Sequence, residues 1–390
     1  MCPPMAPPPV CWSDLPEDLL ELILKQVMDI ADLYQCRNTC HLWRSLAKKL
    51  LALSPPRLLG TRNLYNNKNH NRIKLLDYFT GNSTFFETPK FKSHDGCTYV
   101  PNHVHSSRGW LVIHYTKSSS SPNQCIYLYN PLSGMGFWLS IFLRDNSNNP
   151  YSLPIQPENV VFPPIKLYLS SKKPTSISCI IFNLGPGIYA AWERKFWRPG
   201  DKKRIPILRS GFCINSIIHY KDEFYGIDPF PHHSYANGEI EQFFVQLEFM
   251  GSSPGVKRIP TKINRPQYMS INHASQFLVE SLCGSLLLVC KTRIHIDSIW
   301  RFEVYKLDWG KSEWEKITSL GDQAIFLEED SICIQASAST KYKKNCIYFM
   351  DWDLRHLVAI YDMGNQTVSQ PLFPLPDFDW RYPSWFRPEI

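Results

Sequence analysis

The feature that most constrains this chain is a change of hydrophobic period near residue 60. Before it, apolar residues recur as they do on helices. After it they fall in short runs of five to nine residues broken by turn formers. The runs are Gly109–Tyr115, Gln124–Tyr129, Cys179–Asn183, Ile188–Trp192, Phe212–Tyr220, Phe243–Phe249, Ser285–Thr292, Phe302–Leu307, Cys346–Trp352 and Leu357–Tyr361. Four places repeat a motif in which a strand ends in Asn or Asp and then turns. They are Tyr129-Asn130-Pro131, Ile227-Asp228-Pro229, Leu307-Asp308-Trp309-Gly310 and Tyr361-Asp362-Met363-Gly364. An Asn or Asp side chain accepts hydrogen bonds from the backbone it bends, which suits it to that position. The first interval between these positions is close to two propeller blades of roughly 40–50 residues, and the others are irregular. Many short strands with a degenerate repeat predict a β-propeller of six or seven blades rather than one sandwich. Composition agrees, with 31 prolines, 22 Phe, 19 Tyr and 12 Trp among 390 residues.

The N-terminal part reads differently. Residues 1–11 are a proline-rich tail without periodicity, expected to be disordered. Leu15, Leu19, Leu22, Ile23, Val27 and Ile30 then mark an amphipathic stripe. Asp14, Pro16, Glu17 and Asp18 supply helix-start chemistry. Asp32 with Gln35 offers a second start, and Leu33, Cys36, Cys40, Trp43 and Ala47 mark a further stripe. The expectation is two or three short helices over residues 12–53, a linker over 54–68 and a β domain over 69–390, an α+β multidomain chain. Some 40 residues of short helix cannot bury enough apolar surface to stand alone. Leu15, Leu19, Leu22 and Trp43 therefore need a surface, either this chain's β domain or another protein.

Leu15-Pro16-x-x-Leu19-Leu20-x-x-Ile23-Leu24, followed by Leu33-x-x-Cys36-Arg37-x-x-Cys40-x-x-Trp43-Arg44, closely resembles the F-box. That resemblance implies docking on the Skp-family adaptor of a cullin ubiquitin ligase. Leu15, Pro16, Leu19, Leu20, Leu22, Ile23, Leu33, Cys36, Arg37, Cys40, Trp43 and Arg44 are its implied adaptor-binding residues. Further landmarks are similar to a plant F-box-associated domain, the KIB-type β-propeller. They are Ser106–Leu111, Leu128–Gly134, Arg198–Asp201, Val304–Trp309, Ser319–Leu327, Asn345–Phe349 and Trp385–Pro388. Together the resemblances imply a substrate receptor of an SCF-type ligase in cytoplasm or nucleus, performing no bond chemistry itself. A propeller scaffold whose F-box is degenerate or serves another complex is the alternative. The target protein is not encoded in any motif, because propeller specificity resides in loops.

Other chemistries find little support in the residues. The net charge of +7 is spread thinly, and Lys202-Lys203-Arg204 and Lys341-Tyr342-Lys343-Lys344 are short and far apart, so no nucleic-acid partner is expected. The twelve cysteines include no C-x-x-C pair, and neither metal nor cofactor is expected; Cys36 and Cys40 read as small packing residues. The N-terminus lacks the regions of a signal peptide, and runs such as Leu286–Cys290 fall far short of the ~20 apolar residues of a membrane helix. Gly251-Ser252-Ser253-Pro254-Gly255 satisfies G-x-S-x-G, but no helix start follows it, so Ser253 reads as a turn residue. His232-His233 reads as a surface loop. The stretch Pro371–Ile390 holds Phe373, Phe378, Trp380, Tyr382, Trp385 and Phe386. It is expected to pack on the β domain with Trp380 and Trp385 buried, closing the ring by pairing a late strand with an early one.

Overall fold

The computed structural model describes residues 12–27, 29–61, 72–92, 98–117, 124–139, 166–169, 179–182, 194–197, 205–206, 214, 216–227, 232–233, 240–248, 255–263, 274–293, 299–328, 330–337, 340–351, 357–369 and 384–387. The runs expected at Ile188–Trp192, the Asp228 turn, Ser253, Trp380, the Lys202–Arg204 cluster and the tail over 1–11 lie outside them.

Three helices come first. α1 (Glu17–Lys25) follows Pro16, with Glu17 and Asp18 in its first turn and Lys25 in its last, all favourable to the macrodipole. α2 (Ile30–Gln35) is capped by Asp29, whose carboxylate accepts the Ala31 N–H at 2.8 Å. The helix start expected at Asp32 is thus corrected, because Asp32 already lies inside the first turn. The stripe from Leu15 to Ile30 is shared between two helices rather than continuous. α3 (His41–Leu53) buries Leu46, Ala47 and Leu51.

Strands fill the rest of the described chain. The early strands are β1 (Arg57–Thr61), β2 (Arg72–Leu76) and β3 (Ser83–Glu87). A second unit holds β4 (Phe91–Lys92), β5 (Thr98–Ser107), β6 (Trp110–Lys117), β7 (Gln124–Tyr129) and β8 (Gly136–Leu139). A third holds β9 (Lys166–Leu169), β10 (Cys179–Phe182), β11 (Arg194–Trp197) and β12 (Ile205–Pro206). Next come β13 (Ile217–Tyr220), β14 (Glu223–Ile227), β15 (His232–His233), β16 (Ile240–Glu248) and β17 (Gly255–Ile263). They are followed by β18 (Ala274–Glu280), β19 (Leu286–Thr292), β20 (Arg301–Asp308) and β21 (Glu313–Ile317). These two units join through a short parallel pairing of β17 with β21. The sixth holds β22 (Gln323–Leu327), β23 (Ile332–Gln335), β24 (Cys346–Asp351), β25 (Leu357–Asp362) and β26 (Thr367–Ser369). His232 and His233 pair with β16 rather than standing in a free loop.

The ring closes as expected. β27 (Ser384–Phe386) pairs antiparallel with β1, placing Leu58 opposite Trp385 and Leu59 opposite Ser384. Trp385 is buried and its ring meets Phe326 edge-on at 4.9 Å, while its backbone N–H donates to the Glu328 carboxylate at 2.8 Å. β1 lies in the stretch expected to be a linker. Its sequence carries no alternation, and only pairing with β2 and β27 makes it a strand.

Serine hydroxyls tie neighbouring units together: Ser384 accepts from Ser106 N–H, Ser107 from Leu169 N–H and Ser216 from Leu278 N–H. The Asx turns form wherever they are described. Asn130 accepts from the N–H groups of Leu132 and Ser133, Asp308 from Gly310 and Lys311, and Asp362 from Gly364 and Asn365. Asp77 makes the same turn with Phe79 and Thr80, a fourth copy the sequence reading missed. Each stands between the last two strands of its unit.

Candidate functional site

α1 has apolar residues on two sides. Leu20 and Leu24 point inward, buried with Ile30, Leu33, Leu46, Ala47 and Leu51. On the other side Leu19, Leu22 and Ile23 are 46%, 57% and 38% exposed, and Trp12, in the turn ahead of α1, is 64% exposed. An amphipathic helix on a folded domain needs only one apolar stripe. The second stripe leaves several large side chains together in water, the usual mark of an interaction site.

Local bonds fix this face. The Trp43 indole N–H donates to the Trp12 carbonyl at 3.3 Å, holding the turn Trp12–Asp14 against α3. Glu21 bridges Lys25 on its own helix (2.9 Å) and Lys49 on α3 (3.4 Å), and their hydrogen bonds hold its carboxyl below the usual range. Arg44 Nε donates to the Arg37 carbonyl at 3.0 Å, and the Arg37 guanidinium stacks 4.5 Å from the Tyr34 ring.

The opposite side of the module rests on the β domain. Leu132, from the Asn130 turn, completes the cluster around Leu20 and Leu24, and Phe86 of β3 packs against it. Gln35 donates to the Leu132 carbonyl at 3.3 Å, and Thr84 of β3 donates to the Asp29 carboxylate at 3.4 Å. The sequence left open whether the helices cover themselves on this chain or on another. The β domain covers the inner face only.

The twelve candidate residues are therefore not equivalent. Pro16, Leu19, Leu22, Ile23 and Arg44 are exposed, whereas Leu15, Cys36, Arg37, Cys40 and Trp43 are half-buried. Leu20 and Leu33 are buried in the module's own core, so they can shape a docking face but cannot touch a partner. Trp12 lies outside these twelve, and its signal in the sequence is a large aromatic just ahead of Leu15-Pro16. Cys40 stands as the residue before α3, and burial pushes the Cys36 thiol up. Among the described residues no three His, Cys, Asp or Glu side chains gather as a metal site. No helix among them is long and apolar enough to cross a membrane.

Comparison with known proteins fits this division. Residues 12–53 match the F-box-like family, and residues 69–367 match the KIB1-4 beta-propeller family. The chain belongs to the KIB1-4 β-propeller family. Similar proteins come from Arabidopsis thaliana. The protein named "Putative F-box protein At5g66830" is 25% identical over 413 residues, covering 97% of this chain and 94% of that one. "F-box protein At2g26160" is 25% identical over 361 residues, covering 87% of this chain and 95% of its own length. The likeness to these F-box proteins therefore runs along most of both chains.

Proposed function

We propose that this chain is the target-recruiting subunit of an SCF-type ubiquitin ligase. The outer face of α1, with Leu19, Leu22 and Ile23, and the segment just before it, with Trp12, Leu15 and Pro16, dock on a Skp-family adaptor and through it on cullin, and the propeller holds a target protein. The chain performs no bond chemistry. It raises the effective concentration of the target's lysines near the ubiquitin-charged enzyme. The single observation that carries this reading is the second apolar stripe on α1, which the β domain leaves uncovered. Its chemistry suits adaptor docking, since the fully buried centre of an interface is apolar and Trp is among its preferred anchors.

The test is direct. The full chain and the variant Leu15→Ala/Pro16→Ala are each mixed with a purified Skp-family adaptor, and binding is read by calorimetry. Losing one buried anchor typically costs ~2–4 kcal/mol, about 30- to 1000-fold in affinity. Binding by the native chain with loss in the variant supports the assignment. Equal binding by both removes it.

A further inference from the structure

The last turn of α3 leaves the carbonyls of Leu50, Leu51, Ala52 and Leu53 without partners inside the helix. Two are satisfied locally. The Ser54 hydroxyl donates to Leu50 O at 3.0 Å, and the Ser54 N–H donates to Leu51 O at 3.2 Å. The other two are satisfied by the β domain. Arg387 Nη2 donates to Ala52 O at 3.0 Å. The Tyr342 hydroxyl stands 3.2 Å from Leu53 O and 2.6 Å from Gln335 O. Its one proton is shared between these acceptors, so the guanidinium makes the stronger contact. The last turn of α3 carries no basic residue, and Arg387 brings the cation that the negative helix end favours.

Arg387 directly follows β27, the strand that closes the ring. Its second nitrogen, Nη1, donates to Cys333 O on β23 at 3.4 Å. One planar guanidinium thus holds a helix of the F-box, a strand of the sixth unit and the closing strand together. The covalent connection beside it is short and stiff, because Ser54-Pro55-Pro56 leads straight into β1, and β1 pairs with β27.

We propose that Arg387, assisted by Tyr342, is a positioning residue that sets the angle of the F-box on the propeller. It acts through the end of α3, and touches neither adaptor nor target. The consequence for ubiquitin transfer rests on the function proposed above: a fixed angle keeps the target's lysines at one distance from the adaptor. Transfer is fastest when that geometry is preorganised. A loosened joint would leave both binding events intact and spoil their relative placement.

The experiment uses the full chain with spin-labelled non-natural residues at exposed Lys48 on α3 and exposed Thr318 beyond β21. Pulsed dipolar spectroscopy then reads the distance distribution between F-box and propeller. The native chain should give one narrow distribution. Arg387→Ala should at least double its width, with the melting transition of the β domain unchanged, and Arg387→Lys should recover part of the narrowing. A distribution as narrow in Arg387→Ala as in the native chain overturns the proposal. If Arg387→Ala does not fold, Arg387→Met decides, since it keeps the aliphatic stem and removes only the guanidinium: broadening supports the joint, and an unchanged width refutes it. Adaptor affinity, measured on the same samples, should not change. A native chain that binds no adaptor breaks the functional reading, while the distance widths still judge the joint.

Discussion

The two ends of the folded chain carry the same kind of sequence signal and meet opposite fates. Near the start, Trp12, Leu19, Leu22 and Ile23 crowd apolar surface into a dozen residues; near the finish, Trp385 and Phe386 do the same. The C-terminal pair finds its partner inside the chain. Trp385 lies among Leu58, Phe326 and Tyr348, and Phe386 lies among Leu59, Ile113 and Tyr115, both fully buried. The N-terminal group finds none, because the β domain already occupies the other side of α1. Excess apolar surface therefore says that a partner is needed. Which partner depends on whether the chain can reach back to cover it.

The sharpest way to break that comparison is at the closing strand. Deleting residues 371–390 should yield aggregated protein, and Trp385→Ala alone should cost ~3–5 kcal/mol against a typical total of ~5–15 kcal/mol. Urea unfolding of the full chain measures it, and a soluble deletion with an unchanged melting temperature would show that the ring closes without β27. The next effect falls on α1. Leu19→Ala/Ile23→Ala should weaken adaptor binding by ~2–4 kcal/mol and move stability by no more than about 0.5 kcal/mol. Leu20→Ala, on the inner side of the same helix, should lower stability by ~2–5 kcal/mol. If the outer pair destabilises the chain as much as Leu20→Ala does, the two faces of α1 are not distinct.

Acid should separate the two ends as well. His114 lies on β6 between Ile113 and Tyr115, which pack around Phe386, and burial pushes its pKa down to about 3. In the unfolded chain it takes a proton near pH 6.5, so the unfolded state binds more protons between these limits. Its contribution is complete above pH 6.5 and is lost as the pH falls toward 3. Denaturant unfolding at stepped pH should show this slope, and His114→Phe should flatten it. The smallest effect concerns the turn that supports the F-box. Asn130→Ala removes two hydrogen bonds to N–H groups, including that of Leu132, and should cost about 1–2 kcal/mol in a thermal melt. A neutral result would show that Leu132 is held in place by packing on the helices alone.

Much of this fold was legible wherever local chemistry decides conformation. Gln124–Tyr129 is a strand with the bounds read from the sequence, and Cys346–Asp351 and Leu357–Asp362 differ from the expected runs by one residue each. The Asx turns at Asn130, Asp308 and Asp362 follow from side chains that bond their own backbone. What escaped were elements fixed by distant neighbours. β1 reads Arg-Leu-Leu-Gly-Thr, which fits several conformations, and it becomes a strand only between β2 and β27. β22 runs parallel to β24 with β23 on its far side, an order that no local period encodes. In the candidate site, the Leu and Ile positions were readable as a set. Their division into inner Leu20 and outer Leu19, Leu22 and Ile23 was not, because a short helix with apolar residues on both sides has no unique inward face.

The sequence by itself determined the switch from helical to strand periodicity, the Asx turns, and the presence of apolar surface at both ends in excess of what short segments can bury. These are local properties, set by backbone preferences and by the water-avoiding surface each segment carries. Only the tertiary structure decided which surplus is satisfied within the chain and which is left outward. It also decided that the Ala52 carbonyl at the end of α3 is capped by Arg387, 335 positions away along the chain. Side-chain spacing records what a residue needs, whereas the supply of neighbours depends on how the ring closes and brings distant strands to the same place.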